Sequence, residues 1–300
     1  VGSEMCIRDS YLGERSLIAF DEGFYVVQSR WILETGDWIS PMWFNEIDLS
    51  RTIGIQFLLA LSQKIFGTNN TSIYIPITIS SILMLYFTYG IHKEILNKKF
   101  AIISPLILST SYLFVNYANM ATQDIVFSSI VTFGIYKTIK AYKYNKNQDI
   151  FGSGVWIGLG IMLKTYLIAI PLLPLLPFLF KKKIIFKPYY WIGVLVGLIP
   201  FIIWSINIID IYGLDTFSGL YSKLMTLSKN NTFTNPFYYY LWNLPLNMFP
   251  WSFFIIIGFS YTYKIKNSLA KYFIFYYPLS ILLFLSLFST KTPYLSLIHI

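Results

Sequence analysis

Apolar stretches recur along the chain with short polar joins between them, at 73–90, 100–117, 121–139, 150–163, 165–180, 189–209, 250–263 and 272–288. A helix that crosses a bilayer needs about 20 mostly apolar residues, so the pattern predicts a bundle of membrane-spanning helices. Two of these stretches form a single apolar run, 150–180, broken only by Lys164. One straight helix of that length would reach about 46 Å at 1.5 Å per residue, too long for a hydrocarbon core of about 30 Å. The run therefore reads as two short crossings that turn at Lys164. Residues 52–66, "TIGIQFLLALSQKIF", read instead as an amphipathic helix lying on the membrane surface. "DEGFYVVQSRWILETGDW" also reads as a surface helix, and Pro171, Pro174 and Pro177 predict a kinked limb.

Charge then orients the bundle. Four of the joins are "HKEILNKK", "KTIKAYKYNKNQ", "KKKIIFK" and "KIKNSLAK", and together they hold 14 of the 23 basic residues. Lysine-rich short loops stay on the cytoplasmic side. Those loops contain only Glu94 and Asp149 among acids, and ten others lie between Glu14 and Asp48, at Asp124, and at Asp210 and Asp215. The acids thus collect at the opposite, outer face. If 52–66 crossed the membrane, every later lysine loop would be outside, which is a second reason to lay that helix on the surface. Two outer segments follow, about 20–72 and about 210–249.

Composition supports a membrane protein. The chain is 55% hydrophobic and 12% charged, against about 25% charged in ordinary globular domains. Tyr, Trp and Phe make up 19%, and Tyr and Trp gather where a bilayer meets water. The net charge of +9 sits in the lysine loops, so it points to membrane lipids and not to nucleic acid. One cysteine, Cys6, allows no internal disulfide. "VGSEMCIRDS" at 1–10 and "SLIHI" at 296–300 resemble translated sequencing-adapter runs, which leaves 11–295 as one membrane domain, expected to be a fragment, with no internal repeat.

Few residues could carry chemistry. Asp21–Glu22 fits either a helix start, where acids meet the positive end of the helix dipole, or a general base whose pKa burial can tune. Asp124 has the same two readings. Arg51 is a loop cap, a residue snorkelling to lipid phosphate, or an anion ligand. Lys164 between two apolar helices is costly without a partner. Lys291 lies at an outer boundary. Tyr238, Tyr239 and Tyr240 could line a sugar or prenyl site or belong to an interfacial belt. His92 stands alone in a lysine loop, so no zinc set is present.

In sequence order, "FDEGFYVVQSRWILETGDWISP", "RTIGIQFLLALSQKIFG", "NMATQDIVFSS", "GLGIMLKTYLIAIPLLP", "NPFYYYL" with "FPW", and "STKTPYL" resemble motifs of the GT-C membrane glycosyltransferases. The resemblance is to the aminoarabinose-transferase and protein O-mannosyltransferase families and covers about 14–295. The family's first outer loop begins with Asp-Glu, then an aromatic, and continues to Gly-Asp-Trp. Its later motifs are a Lys-Pro-Pro loop before a surface helix, Ala-Thr-x-Asp, a Gly-x-x-x-x-x-Lys hairpin and Ser-x-Lys-x-Pro-Tyr. Arg51-Thr52-Ile53 replaces Lys-Pro-Pro here, and Asn235 stands where relatives often carry histidine.

The resemblance implies an all-α, polytopic GT-C bundle in a bacterial inner membrane. It implies transfer of a sugar from a polyprenyl phosphate to a lipid, glycan or protein acceptor on the outer face, with inversion. Asp21 would be the base and Asp124 a second active-site acid. Glu22, Arg51, Lys164, Tyr239 and Lys291 would bind lipid phosphate or sugar. No cofactor is called for, and a divalent ion on Asp21 or Asp124 has no ligand cluster behind it. The rival reading is a transporter or flippase. Transporter sites lie near the bilayer midplane, often in related repeats, whereas here the ionisable groups sit at one rim.

Overall fold

The computed structural model describes residues 17, 22–44, 46–96, 98–229, 235–262, 264–287 and 291. The chain opens with α1 (Glu22–Thr35), a two-stranded hairpin β1 (Met42–Trp43) and β2 (Glu46–Ile47), and α2 (Gly54–Phe66). The bundle follows: α3 (Asn70–Ile95), α4 (Ile103–Ser109), α5 (Tyr112–Ala118), α6 (Gln123–Tyr144) and α7 (Asn147–Lys164). A broken helical limb, 165–181, leads to α8 (Pro188–Tyr212). The rest is α9 (Thr216–Lys229), α10 (Tyr239–Asn247), α11 (Phe253–Thr262) and α12 (Ser268–Leu287, with a π turn at Tyr272–Tyr276). Among the described residues, four helical runs are long and apolar enough to cross a membrane, or five if the bent pair α4–α5 counts as one. The described part of the protein is a polytopic, all-α membrane bundle.

The lysine loops gather at one end. Lys143 reaches Glu94 at 2.7 Å, Lys137 reaches Asp149 at 2.9 Å, Lys187 bonds Asn145, and Lys182 lies 5.2 Å from the Tyr142 ring. Asp124 and Lys143 sit at opposite ends of α6, about 28 Å apart by helix rise, close to the depth of a hydrocarbon core. The hairpin expected at Lys164 is present. Thr165 takes a φ of +43° just after α7 ends, and by Phe178 the chain is back against Tyr142, ring centroids 5.0 Å apart. Consequently α7 and α8 run parallel. The three prolines of the returning limb interrupt its helical bonding, and tyrosines from α12 bond to that limb: Tyr272 donates to the Pro174 carbonyl and Tyr277 to that of Pro171.

The parallel crossing of α7 and α8 is made by glycines. A Cβ at Gly197 would meet the Val155 carbonyl oxygen at 2.1 Å, and one at Gly158 would meet the Gly197 carbonyl carbon at 2.2 Å. Small residues let two membrane helices bring their backbones this close. Because the clash is with backbone, no side chain can swing aside. Gly197→Ala should cost about 1–3 kcal/mol of overpacking and lower the thermal midpoint of the full-length protein in detergent. Gly258→Ala, where a Cβ meets nothing within 4 Å, should not; equal midpoints for the two variants would refute the crossing.

Three expectations need correction. The stretch 100–117 is not one straight span: α4 and α5 bend by 68°. Ser109, Thr110 and Ser111 fall at the break. The Thr110 hydroxyl donates to the Leu106 carbonyl at 2.8 Å and Ser111 to that of Leu108 at 2.7 Å, a side-chain competition that ends helices. The Phe249 carbonyl accepts from Tyr112 N–H at 3.0 Å, and the Trp251 indole donates to Thr110 at 2.8 Å, fixing the bend. The stretch 250–263 supplies a helix of 10 residues, about 15 Å long and too short to cross alone. The passage from Asn235 to the lysine end therefore uses α10 and α11 in series. Finally, Lys137, Lys140 and Lys143 belong to α6 itself, and the turn is confined to Asn145–Lys146.

Candidate active site

The acid end is built on α1. Its C-terminus is a glycine at φ +74°, Gly36, followed by Asp37, whose carboxylate accepts the N–H groups of Ile39 at 2.9 Å and Ser40 at 3.1 Å. This turn presents the Ile39 carbonyl to the Trp204 indole at 2.9 Å and the Ser40 hydroxyl to Tyr212 at 3.0 Å. The loop after α1 is thereby docked on the C-terminal end of α8. Between α1 and α2 the contact is partly polar, with Gln28 and Gln56 paired and Gln63 donating to Ser29 at 2.8 Å. The exposed side chains of α2 are mostly apolar (Phe57, Leu61, Ile65, Phe66), with Lys64 beside them over the Trp38 ring at 5.2 Å, a composition suited to a membrane surface.

Glu22 begins α1 and is fully buried. Its Oε1 accepts the Ala121 N–H at 2.8 Å and the Tyr74 hydroxyl at 3.1 Å. Three segments far apart in sequence are thus tied to one carboxylate: the first loop, α3, and the stretch that leads into α6. Asp124 lies in the first turn of α6, three residues beyond Ala121, and its Oδ1 accepts from the Lys164 ammonium at 2.5 Å. The two side chains are 11% and 4% exposed, so this is a buried ion pair. Lys164 also lies 5.4 Å from the Phe127 ring centroid, one turn along α6.

Arg51 is positioned by aromatics. Its guanidinium donates to Tyr25 Oη at 2.6 Å and stacks 4.6 Å from the Phe24 ring centroid, which also meets Trp43 of the hairpin at 4.9 Å. The next residue, Thr52, donates to the Leu163 carbonyl at 3.3 Å. The Arg51 loop therefore abuts the end of α7 that carries Lys164. A second group lies on the later segments. Lys291 donates to the Asn235 carbonyl at 3.0 Å, and Asn235 donates back to the Lys291 carbonyl at 3.1 Å. Burial holds the Lys291 ammonium below the ordinary lysine pKa. Tyr239 starts α10 four residues on, buried edge-on against Tyr240 and Trp242 at 5.1 and 5.2 Å.

Of the residues singled out in the sequence, Glu22, Asp124, Lys164 and Arg51 come together at the acid end, while Lys291 and Tyr239 flank Asn235. Asp21 lies outside the described residues. Tyr74, Tyr25 and the Ala121 amide were not anticipated. Tyr25 stands three residues after Glu22, on the same helix face, which was the one available signal. Tyr74 pairs across 52 residues of sequence, and no local pattern foretells such a contact.

A family model for dolichyl-phosphate-mannose-protein mannosyltransferases matches residues 50–206, more than half of the chain. Undecaprenyl phosphate-alpha-4-amino-4-deoxy-L-arabinose arabinosyl transferase of Yersinia pestis is 23% identical over 246 residues, covering 77% of this chain and 44% of that protein. An uncharacterized protein of Aquifex aeolicus is 27% identical over 126 residues, 42% of this chain and 25% of its own. Among solved structures, ArnT from Cupriavidus metallidurans bound to undecaprenyl phosphate superposes with a TM-score of 0.86 at 15% identity, over 98% of this chain and 56% of that one. Its apo form gives 0.80 over 99% and 56%. The chain thus spans about half the length, or less, of the relatives it matches. With the family model matched over more than half of its length, the chain belongs to the dolichyl-phosphate-mannose-protein mannosyltransferase family.

Proposed function

We propose that the full-length protein is a membrane glycosyltransferase that moves a sugar from a polyprenyl phosphate to a hydroxyl of a lipid, glycan or protein acceptor, at the outer face of a bacterial inner membrane. The observation that carries this reading is the buried Asp124–Lys164 pair beside the Glu22 clamp. Glu22, Arg51, Asp124 and Lys164 gather at the end of the bundle opposite the lysine loops, where this reading puts the lipid phosphate. The relatives agree in chemistry: the Yersinia protein is an arabinosyl transferase of an undecaprenyl-phosphate-linked sugar, and the Cupriavidus structure holds undecaprenyl phosphate.

In this reading the Asp21 carboxylate takes the proton of the acceptor hydroxyl as its oxygen attacks the anomeric carbon. The bond from that carbon to the donor's phosphate oxygen breaks with its electron pair, and displacement from the opposite side inverts the centre. Arg51, Lys164 and Lys291 receive the charge that develops on the phosphate. Asp124 holds Lys164 in place and bounds the acceptor's pocket. Glu22, spent on Ala121 and Tyr74, fixes the residue before it rather than meeting substrate, and Tyr239 lines the sugar or prenyl side.

The test is transfer of labelled sugar from polyprenyl phosphate in membranes carrying the full-length protein, against membranes without it. A covalently labelled acceptor is expected. Label that crosses sealed vesicles still attached to its carrier would instead favour a flippase.

A further inference from the structure

At the lysine end, away from the site above, α3, α4, α6 and α12 enclose a cavity of about 270 Å³. Two irregularities leave it open. On one wall α4 departs from α5 at the 68° bend, and on another the π turn of α12 contributes Phe273 and Ile274. Protein interiors rarely leave gaps much larger than a water, and π turns often mark functional positions.

The lining decides what would fill it. Every polar side chain there already has a partner. Thr88 donates to the Met84 carbonyl at 2.8 Å and Thr132 to that of Ser128 at 2.7 Å. His92 Nδ1 pairs with Ser104 Oγ at 2.6 Å, and Tyr277 donates to Pro171. The remaining walls are aliphatic or aromatic, so the cavity asks for a chain without polar groups. Along α3 it runs from Met84 to Leu96, about 18 Å of helix rise, close to the depth of one leaflet of a core about 30 Å thick. Next to its lysine-side limit stand Lys93, Lys98 and Lys99, all exposed. The nearby acid, Glu94, is engaged by Lys143 at 2.7 Å and Tyr144 at 2.8 Å, so the local field stays positive.

The geometry points to a binding site for an anionic phospholipid of the lysine-side leaflet, one acyl chain in the cavity and its phosphate among Lys93, Lys98 and Lys99. The site is independent of the sugar-transfer centre.

Purified full-length protein, stripped of lipid in detergent, is titrated with phosphatidylglycerol or with phosphatidylcholine. Retained lipid is counted by native mass spectrometry and the thermal midpoint is followed. Phosphatidylglycerol should be retained at one per chain and raise the midpoint by several degrees, as a ligand specific to the folded state must; phosphatidylcholine should do neither. The surface variant Lys93→Gln/Lys98→Gln/Lys99→Gln should fold and lose this preference. Ile107→Trp, which fills the cavity, should lose the lipid. No retained lipid on the wild type, an equal response to phosphatidylcholine, or an unchanged preference in the triple variant would each overturn the proposal. Retention by Ile107→Trp would do the same, as would a cavity closed to lipid by another part of the full-length chain.

Discussion

Asp21→Asn should lower sugar transfer by the full-length protein about 10²–10⁴-fold, the usual contribution of a positioned general base. The substitution keeps size and hydrogen-bonding capacity but removes the proton-accepting charge. The bonds to Ala121 and Tyr74 come from the neighbouring Glu22, which the substitution keeps. The thermal midpoint should therefore stay where it is, and binding of the polyprenyl-phosphate donor should persist. The pH profile adds a discriminating readout. A carboxylate base works only when ionised, so wild-type turnover must fall on the acid side as Asp21 takes up a proton. The residual activity of the Asn variant should lack that limb. Equal transfer by variant and wild type would remove Asp21 from the mechanism. A slow variant whose midpoint had also dropped would recast Asp21 as a structural residue.

How much of this was legible beforehand depended on range. Hydropathy together with lysine placement sufficed for the bundle, its two ends and even the reversal at Lys164, because a bilayer limits helix length and charge sidedness limits the number of crossings. The helix within 52–66 was readable for the same local reasons, but the helix read through Trp38 ends at Thr35, with Gly36 at φ +74°. The bend at Thr110–Ser111 was not, although three consecutive hydroxyl residues hinted at it. Its stability comes from Phe249 and Trp251, some 140 residues away, and hydropathy averages cannot register such a bond. The use of α10 in the later crossing escaped because 210–249 was read as one outer segment, polar and then aromatic. At the site, Asp124, Lys164, Arg51 and Glu22 could be named, but their pairing could not. Charge type does not say that Lys164 takes Asp124 while Glu22, richer in proximity to cations by sequence, spends itself on an amide and a phenol.

That pairing leads to the second large effect. Lys164→Met leaves the Asp124 carboxylate in a site where it is 11% exposed with its ammonium partner gone. Removing one member of a buried pair typically costs about 3–5 kcal/mol, because the charge left behind is neither solvated nor compensated. The variant should show a much lower thermal midpoint and no transfer. The double variant Lys164→Met/Asp124→Leu removes both charges, and exchanging a buried pair for apolar side chains is often neutral or stabilising. Most of the lost stability should return in the double variant while transfer stays absent. This separation tells the two roles apart. If the pair were only a structural tie between α6 and the hairpin, activity would recover together with the midpoint. If Lys164 also meets the leaving phosphate, recovery of the fold restores nothing, because no cation stands where the charge develops. Thermal midpoints and initial transfer rates for the wild type, both single variants and the double variant complete the cycle, and parallel recovery of stability and rate would end the catalytic reading of Lys164.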